Sequence, residues 1–183
     1  SMTITGQDMQ SAINAALALA KSGGTANGIA VSIDLSALQG QFSTLSLTII
    51  NGAYQALADA GVEFLEIKTP QISLTLDLQT LKTILETMGN SIIFTVERVN
   101  AAALSGAART ALGSRPAYKF FITSGDKKIT DFGGGRVSVS LPYTPANGEN
   151  PAGLYAVYIG AGGVEWLWDS GYNSGSRSLL FRT

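Results

Sequence analysis

The sequence predicts an α+β fold, mainly antiparallel and sandwich-like, with about three helices in its N-terminal half. Three observations carry that prediction. Apolar residues recur at helical spacing in three stretches up to Gly89, each closed by glycine. Short runs of strict apolar/polar alternation recur along the whole chain. After Ser114 such runs stand almost alone, split by Gly-rich turns at intervals of about eight to twelve residues, the spacing of a sandwich or open barrel. With 183 residues, 45% hydrophobic and 14% charged, the chain is long and apolar enough to bury a core without a metal or disulfide.

The first helix is announced by Thr5 and Asp8, a capping-box pattern with Asp in place of Glu. Met9, Ile13, Ala16, Leu17 and Ala20 then follow at three- and four-residue spacing until Gly23-Gly24. From Ile29 the period changes to two: Ile29, Val31, Ile33 and Leu35 alternate with Ala30, Ser32 and Asp34, which predicts a half-buried strand.

An internal repeat follows. Leu45 to Ile49 and a helical stretch to Gly61 are echoed by Ile72 to Leu76 and a helical stretch to Gly89. Each copy reads strand, helix, strand. In the first, Tyr54, Leu57 and Ala58 form the apolar face, and Val62 to Ile67 is the closing strand. In the second, Asp77 caps a helix carrying Leu78, Leu81, Ile84, Leu85 and Met88, and Ile92 to Val99 closes the unit. Two copies are too few for a solenoid, so the repeat reads as duplication inside one compact unit.

Asn100 to Ser114 is Ala-rich and reads as a connector, with Leu104, Ala108 and Leu112 placed to lay a helical turn or two on the core. Strands are then expected at Tyr118 to Thr123, Lys128 to Phe132, Val137 to Leu141, Leu154 to Ile159, Val164 to Trp168 and Arg177 to Phe181. Asp169 to Gly175 reads as a turn. The expected organisation is an α+β part over residues 3–112 and a β-rich part over 113–183, sharing one core. Ser1-Met2 reads as a cloning remnant. Strand-like sequence running straight to Thr183 suggests a module cut from a longer protein.

Composition removes whole classes of chemistry. Without Cys there is no disulfide, thiolate nucleophile or sulfur-ligated metal, and without His no imidazole base or Ser-His-Asp triad. Twelve basic against thirteen acidic residues lack the excess that a nucleic-acid partner demands. The most apolar early stretch, Ala12 to Ala20, stops at Lys21 at about half the length of a membrane span, so no membrane insertion is expected.

Several segments in order resemble a module of Gram-positive cell-surface proteins, of the type that precedes S-layer homology repeats. They are Leu57 to Gly61 (LADAG), Gly113 to Pro116, Ile129 to Tyr143 (ITDFGGGRVSVSLPY), Gly148 to Pro151, Leu154 to Tyr158 and the Trp166 to Phe181 hairpin. The likeness covers about residues 8 to 183; a His-Phe-Ser-like segment that usually follows in such proteins is absent here. The resemblance implies an extracellular, wall-attached multidomain protein in which this module is a non-catalytic structural spacer or interaction unit. It transfers no catalytic residue.

Candidate sites follow from the residues themselves. Asp131-Phe132-Gly133 spells a kinase metal-binding tripeptide, but the accompanying loops are missing, and a turn in which Asp131 bonds a nearby N–H explains it. Gly133-Gly-Gly-Arg136 is followed by a strand rather than a helix, which excludes a phosphate cradle. The carboxylates are scattered through caps and turns. Glu165 with Asp169, or Asp126 with Asp131, offers oxygen ligands for Ca²⁺, although neither spacing matches a twelve-residue calcium loop. Otherwise no cofactor is expected.

Trp166, Trp168 and Tyr172, with Tyr155 and Tyr158 on the preceding strand, form the aromatic cluster expected to bind cell-wall or extracellular polysaccharide, the alternative to a pure spacer that contacts neighbouring modules of the same protein. Trp166 and Trp168 share one strand face with Val164, while Glu165 and Leu167 share the other. That alternation favours buried Trp. Ile72 to Leu76 and Ile92 to Val96 are β-prone and weakly charged, so they must be paired or covered, unless an open edge serves for strand addition.

Overall fold

The computed structural model describes residues 1–23, 28–38 and 42–183. Strand β1 (Met2–Ile4) leads into α1 (Gly6–Gly23), and the capping pair behaves as its spacing predicts. Thr5 donates to Asp8 Oδ2 through its N–H (2.9 Å) and hydroxyl (2.6 Å), while the Asp8 N–H donates to Thr5 Oγ1 (3.3 Å). These bonds hold the Asp8 carboxyl below its ordinary range. Met9 and Ile13 anchor the helix in the core.

Strands β2 (Ala30–Asp34), β3 (Thr44–Ile50), β4 (Phe64–Lys68), β5 (Ser73–Asp77) and β6 (Ser91–Val99) fall where the alternation places them, with α2 (Asn51–Asp59) and α3 (Leu78–Thr87) between. Asp77 caps α3, accepting from the Thr80 N–H at 2.9 Å. The fold contains three strand-helix-strand units rather than the two that the sequence shows: β1-α1-β2, β3-α2-β4 and β5-α3-β6. Met2 pairs with Leu47, so the first strand, which starts one residue before the expected α+β part, belongs to the sheet.

Each unit starts in one sheet and ends in the other. The first two run side by side in the same sense, so β1 pairs parallel with β3, and β2 parallel with β4. The third runs the opposite way, so β6 pairs antiparallel with β3, and β5 antiparallel with β4. The sheets are therefore mixed, which corrects the mainly antiparallel expectation. A helix can carry the chain from one sheet to the other, and that crossover permits parallel neighbours that a tight hairpin cannot make.

The C-terminal strands extend both sheets. β7 (Ala117–Ser124) and β8 (Lys127–Ile129) complete the order β1-β3-β6-β7-β8. β9 (Val137–Pro142), β12 (Gly171–Asn173) and β13 (Ser178–Arg182) complete β12-β13-β9-β5-β4-β2, and β10 (Ala156–Gly160) with β11 (Gly163–Leu167) forms a separate two-stranded sheet. β12 lies in the stretch read as a turn. A further correction concerns helix number: α4 (Gly106–Leu112) makes a fourth helix in the expected connector, capped by Ser105 Oγ accepting from Ala108 N at 3.3 Å. Its buried residues are Ala108 and Leu112, two of the three marked by spacing; Leu104 is half-buried just outside it.

Alternate residues of both sheets meet α1, α2 and α3 in one core. Leu47 and Ile49 of β3, Leu65 and Ile67 of β4, Phe94 of β6 and Val137 and Val139 of β9 all belong to it. Tyr54 of α2 is also buried there, and burial pushes its phenol well above the ordinary range. β5 lies between β4 and β9 and β6 between β3 and β7, so both aggregation-prone strands are paired on each side and neither is an edge.

Candidate binding site

Tyr155 and Trp168 stand directly beside the open end of the β10-β11 hairpin, and Tyr158 and Trp166 sit on the hairpin itself, which α4 flanks. The Gly160-to-Gly163 turn closes it, with Val157 opposite Trp166 and Ile159 opposite Val164. Ser170 secures the far end: its hydroxyl accepts from the Ala156 N–H at 2.7 Å and donates to the Leu167 carbonyl. The backbone N–H of Ser170 also bonds the Leu167 carbonyl, at 2.9 Å. The turn at Trp168 and Asp169 is thereby fixed against the start of β10.

The expectation of buried Trp is overturned. Trp166 is 44% exposed and Trp168 71% exposed. Their indoles stack with centroids 5.6 Å apart and planes 18° from parallel, and Tyr155 meets Trp168 edge-on at 5.4 Å. Half-buried Val157, Ile159 and Val164 continue the same face. Alternation separated the two faces correctly but could not say which one the body covers. Ala156, on the opposite face across from Leu167, is buried instead.

The structure brings three of the five aromatic candidates together. Tyr158 is 59% exposed opposite exposed Glu165 on the other face, where alternation along β10 places it. Tyr172 belongs to β12, opposite Leu179, and its hydroxyl donates to the Tyr143 carbonyl at 3.2 Å. It acts as a tie between loop and sheet.

That tie belongs to a clamp that the sequence did not reveal. Glu149 accepts from the Tyr143 hydroxyl at 2.5 Å and from the Ala146 N–H at 2.7 Å, and its other oxygen meets Arg115 at 2.6 Å. The Tyr143 bond, the Ala146 N–H and Arg115 hold the Glu149 carboxyl below its ordinary range, while Glu149 raises the Tyr143 phenol. The clamp joins the segment after α4 to the loop that leads into β10. Nothing in local spacing pairs Arg115 with Glu149, so only the fold reveals it.

A carboxylate with a lowered folded pKa contributes stability above its unfolded pKa, and that contribution fades as pH falls through the folded value. Glu149→Gln should therefore lower the urea midpoint at neutral pH and narrow its gap from the unsubstituted protein as pH approaches 3. Paired urea melts across that range test it; a gap that stays constant would exclude a charged role for Glu149.

Asp131 behaves as a turn residue, its Oδ1 accepting from the Gly133 N–H at 2.8 Å. Among the described residues no three carboxylates converge in a group that could hold a metal ion. No helix among them is long and apolar enough to cross a membrane. Comparison of the chain with protein-family models, with curated proteins and with solved structures gives no match.

Proposed function

We propose that this chain is a non-catalytic extracellular module of a bacterial cell-surface protein, of the S-layer-associated type, and that it contacts wall or extracellular polysaccharide through Tyr155, Trp166 and Trp168. One observation carries the reading: two stacked indoles and a phenol stand exposed on a hairpin anchored at its base. Aromatic faces in water take the apolar face of a sugar ring, and a prearranged stack spends little entropy in doing so. Because the indoles lie on each other rather than side by side, the ladder suits one or two sugar rings at its outer faces rather than a flat crystalline surface.

The same stacking favours a second reading, a spacer whose hairpin packs on a neighbouring module of the same protein. Each indole already covers part of the other, which reduces the area left for sugar. Neither reading needs a cofactor, Ca²⁺ included. Nucleic acid and membrane insertion play no part in either.

Titration against soluble glucans, xylans and isolated cell wall, followed by Trp emission and acrylamide quenching, tests the sugar reading. The free protein should emit at long wavelength and quench readily, and a bound polysaccharide should protect it. Trp168→Ala should weaken that binding about tenfold, the order of a lost aromatic stack, while Tyr158→Ala on the other face leaves it unchanged. If no polysaccharide alters emission or quenching, the hairpin is a packing surface and the spacer stands.

A further inference from the structure

The outer edge of β2 is open among the described residues. β2 is the last strand of its sheet, pairing with β4 alone among the described residues. In a parallel pair the N–H and C=O of one residue point the same way, and successive residues alternate in direction. The Ile29 carbonyl and the Leu35 N–H both bond the β4 side. Val31 and Ile33 therefore face β4 as well, and Ala30, Ser32 and Asp34 present their N–H and C=O outward. No hydrogen bond among the described residues takes up these outward groups.

We infer that β2 pairs with β2 of a second copy of this chain, antiparallel, joining two six-stranded sheets across a twofold axis. The edge is self-complementary. With Ser32 on the axis, Ser32 faces its counterpart and Ala30 faces Asp34, so all three outward residues form hydrogen-bonded pairs and the six open groups of each strand are used. No carboxylate meets another, because each Asp34 lies opposite an alanine. The side chains along the edge are small and exposed and include no Lys or Pro, the residues that commonly guard an edge. By contrast, β8, an edge of the other sheet, carries Lys127 and Lys128.

A second observation points to the same place. Leu19 of α1, 72% exposed, lines a shallow depression with Ala16, Ala20, Ile29 and Ala30 at the start of β2. An exposed leucine beside an open strand edge is the apolar contact that an added strand covers, and the alanines leave room for its side chains.

Sedimentation velocity on the full chain over a concentration series into the millimolar range, with amide exchange followed by NMR, tests the pairing. Association should appear on concentration, and the Ser32 and Asp34 amides should then slow about tenfold or more, while Val31 and Ile33 exchange slowly throughout. Leu19→Lys, a change on an exposed helix face, and Ser32→Pro, which removes an outward donor, should each weaken association about tenfold or more. Should Ser32→Pro fail to fold, Leu19→Lys and the exchange pattern decide. A chain that stays monomeric overturns the inference. So does a dimer whose Ser32 and Asp34 amides exchange as in dilute solution, or one indifferent to Leu19→Lys, which would place the contact elsewhere, as on the aromatic hairpin.

Discussion

Gly135→Ala is expected to destabilise this protein by about 3 to 5 kcal/mol, the combined scale of forced overpacking and a lost helix cap. A methyl at Gly135 would press on the backbone nitrogen and hydroxyl of Thr80 and stand 2.8 Å from Asp77 Oδ1. Thr80 is fully buried in the first turn of α3, so it cannot yield without moving the helix. Asp77 is committed twice, capping Thr80 through one oxygen and accepting from the Arg136 N–H at 2.9 Å through the other. The wedge would therefore break the cap and unseat the start of β9 together. Gly134→Ala is the control: its φ of 77° favours glycine, yet a methyl there meets nothing within 4 Å. It should cost only about 1 to 2 kcal/mol of backbone strain. Urea unfolding of both variants measures the difference, and equal losses would mean that Thr80 and Asp77 shift to accommodate the methyl without breaking the cap.

Leu57→Ala should remove about 2 to 5 kcal/mol, with the loss appearing in every part of the fold at once. Leu57 is fully buried on α2, the helix that carries the chain from β3 in one sheet to β4 in the other. Its cavity would open in the core to which both sheets contribute. β9 lies between β5 and β13, and β7 pairs with β6, so the C-terminal strands are built onto the strands that Leu57 supports. Far-UV circular dichroism follows the whole chain, while both tryptophans, Trp166 and Trp168, report on the distant hairpin. The two transitions should shift to lower urea together. A hairpin transition that stayed in place while the dichroism transition moved would make residues 113–183 an independent unit and refute the single core.

Much of this architecture is legible one element at a time. The Thr5 and Asp8 cap, the Asp77 cap and the burial alternation of β2 and β3 follow from interactions within a few residues. The Asp131 turn and the positive φ of Gly133 and Gly134 are equally local. The three-residue β1 and β12 were not legible, because so short a run has no measurable period. The four-residue spacing of Ala108 and Leu112 was visible, yet an Ala-rich turn on a small apolar stripe is weak evidence for a helix.

The candidate site divides in the same way. Its three aromatic members were marked by type and proximity, and the shared face of Trp166 and Trp168 by period two. Whether that face meets water depended on whether another element covers it. The buried Ala156 on the opposite face settles that question, whereas period two already separates Tyr158 from the ladder by pairing it with Glu165. Arg115 reaches Glu149 only because the chain returns there. The sequence by itself determined the periodicity, the caps and the turn conformations, since these are set by neighbours along the backbone. Strand partners, their parallel or antiparallel sense, the close approach at Gly135 and the exposure of the indoles were decided only by tertiary structure. They depend on contacts between segments far apart in the chain, where an open strand edge or an alternating face fits more than one partner and only the assembled core selects among them.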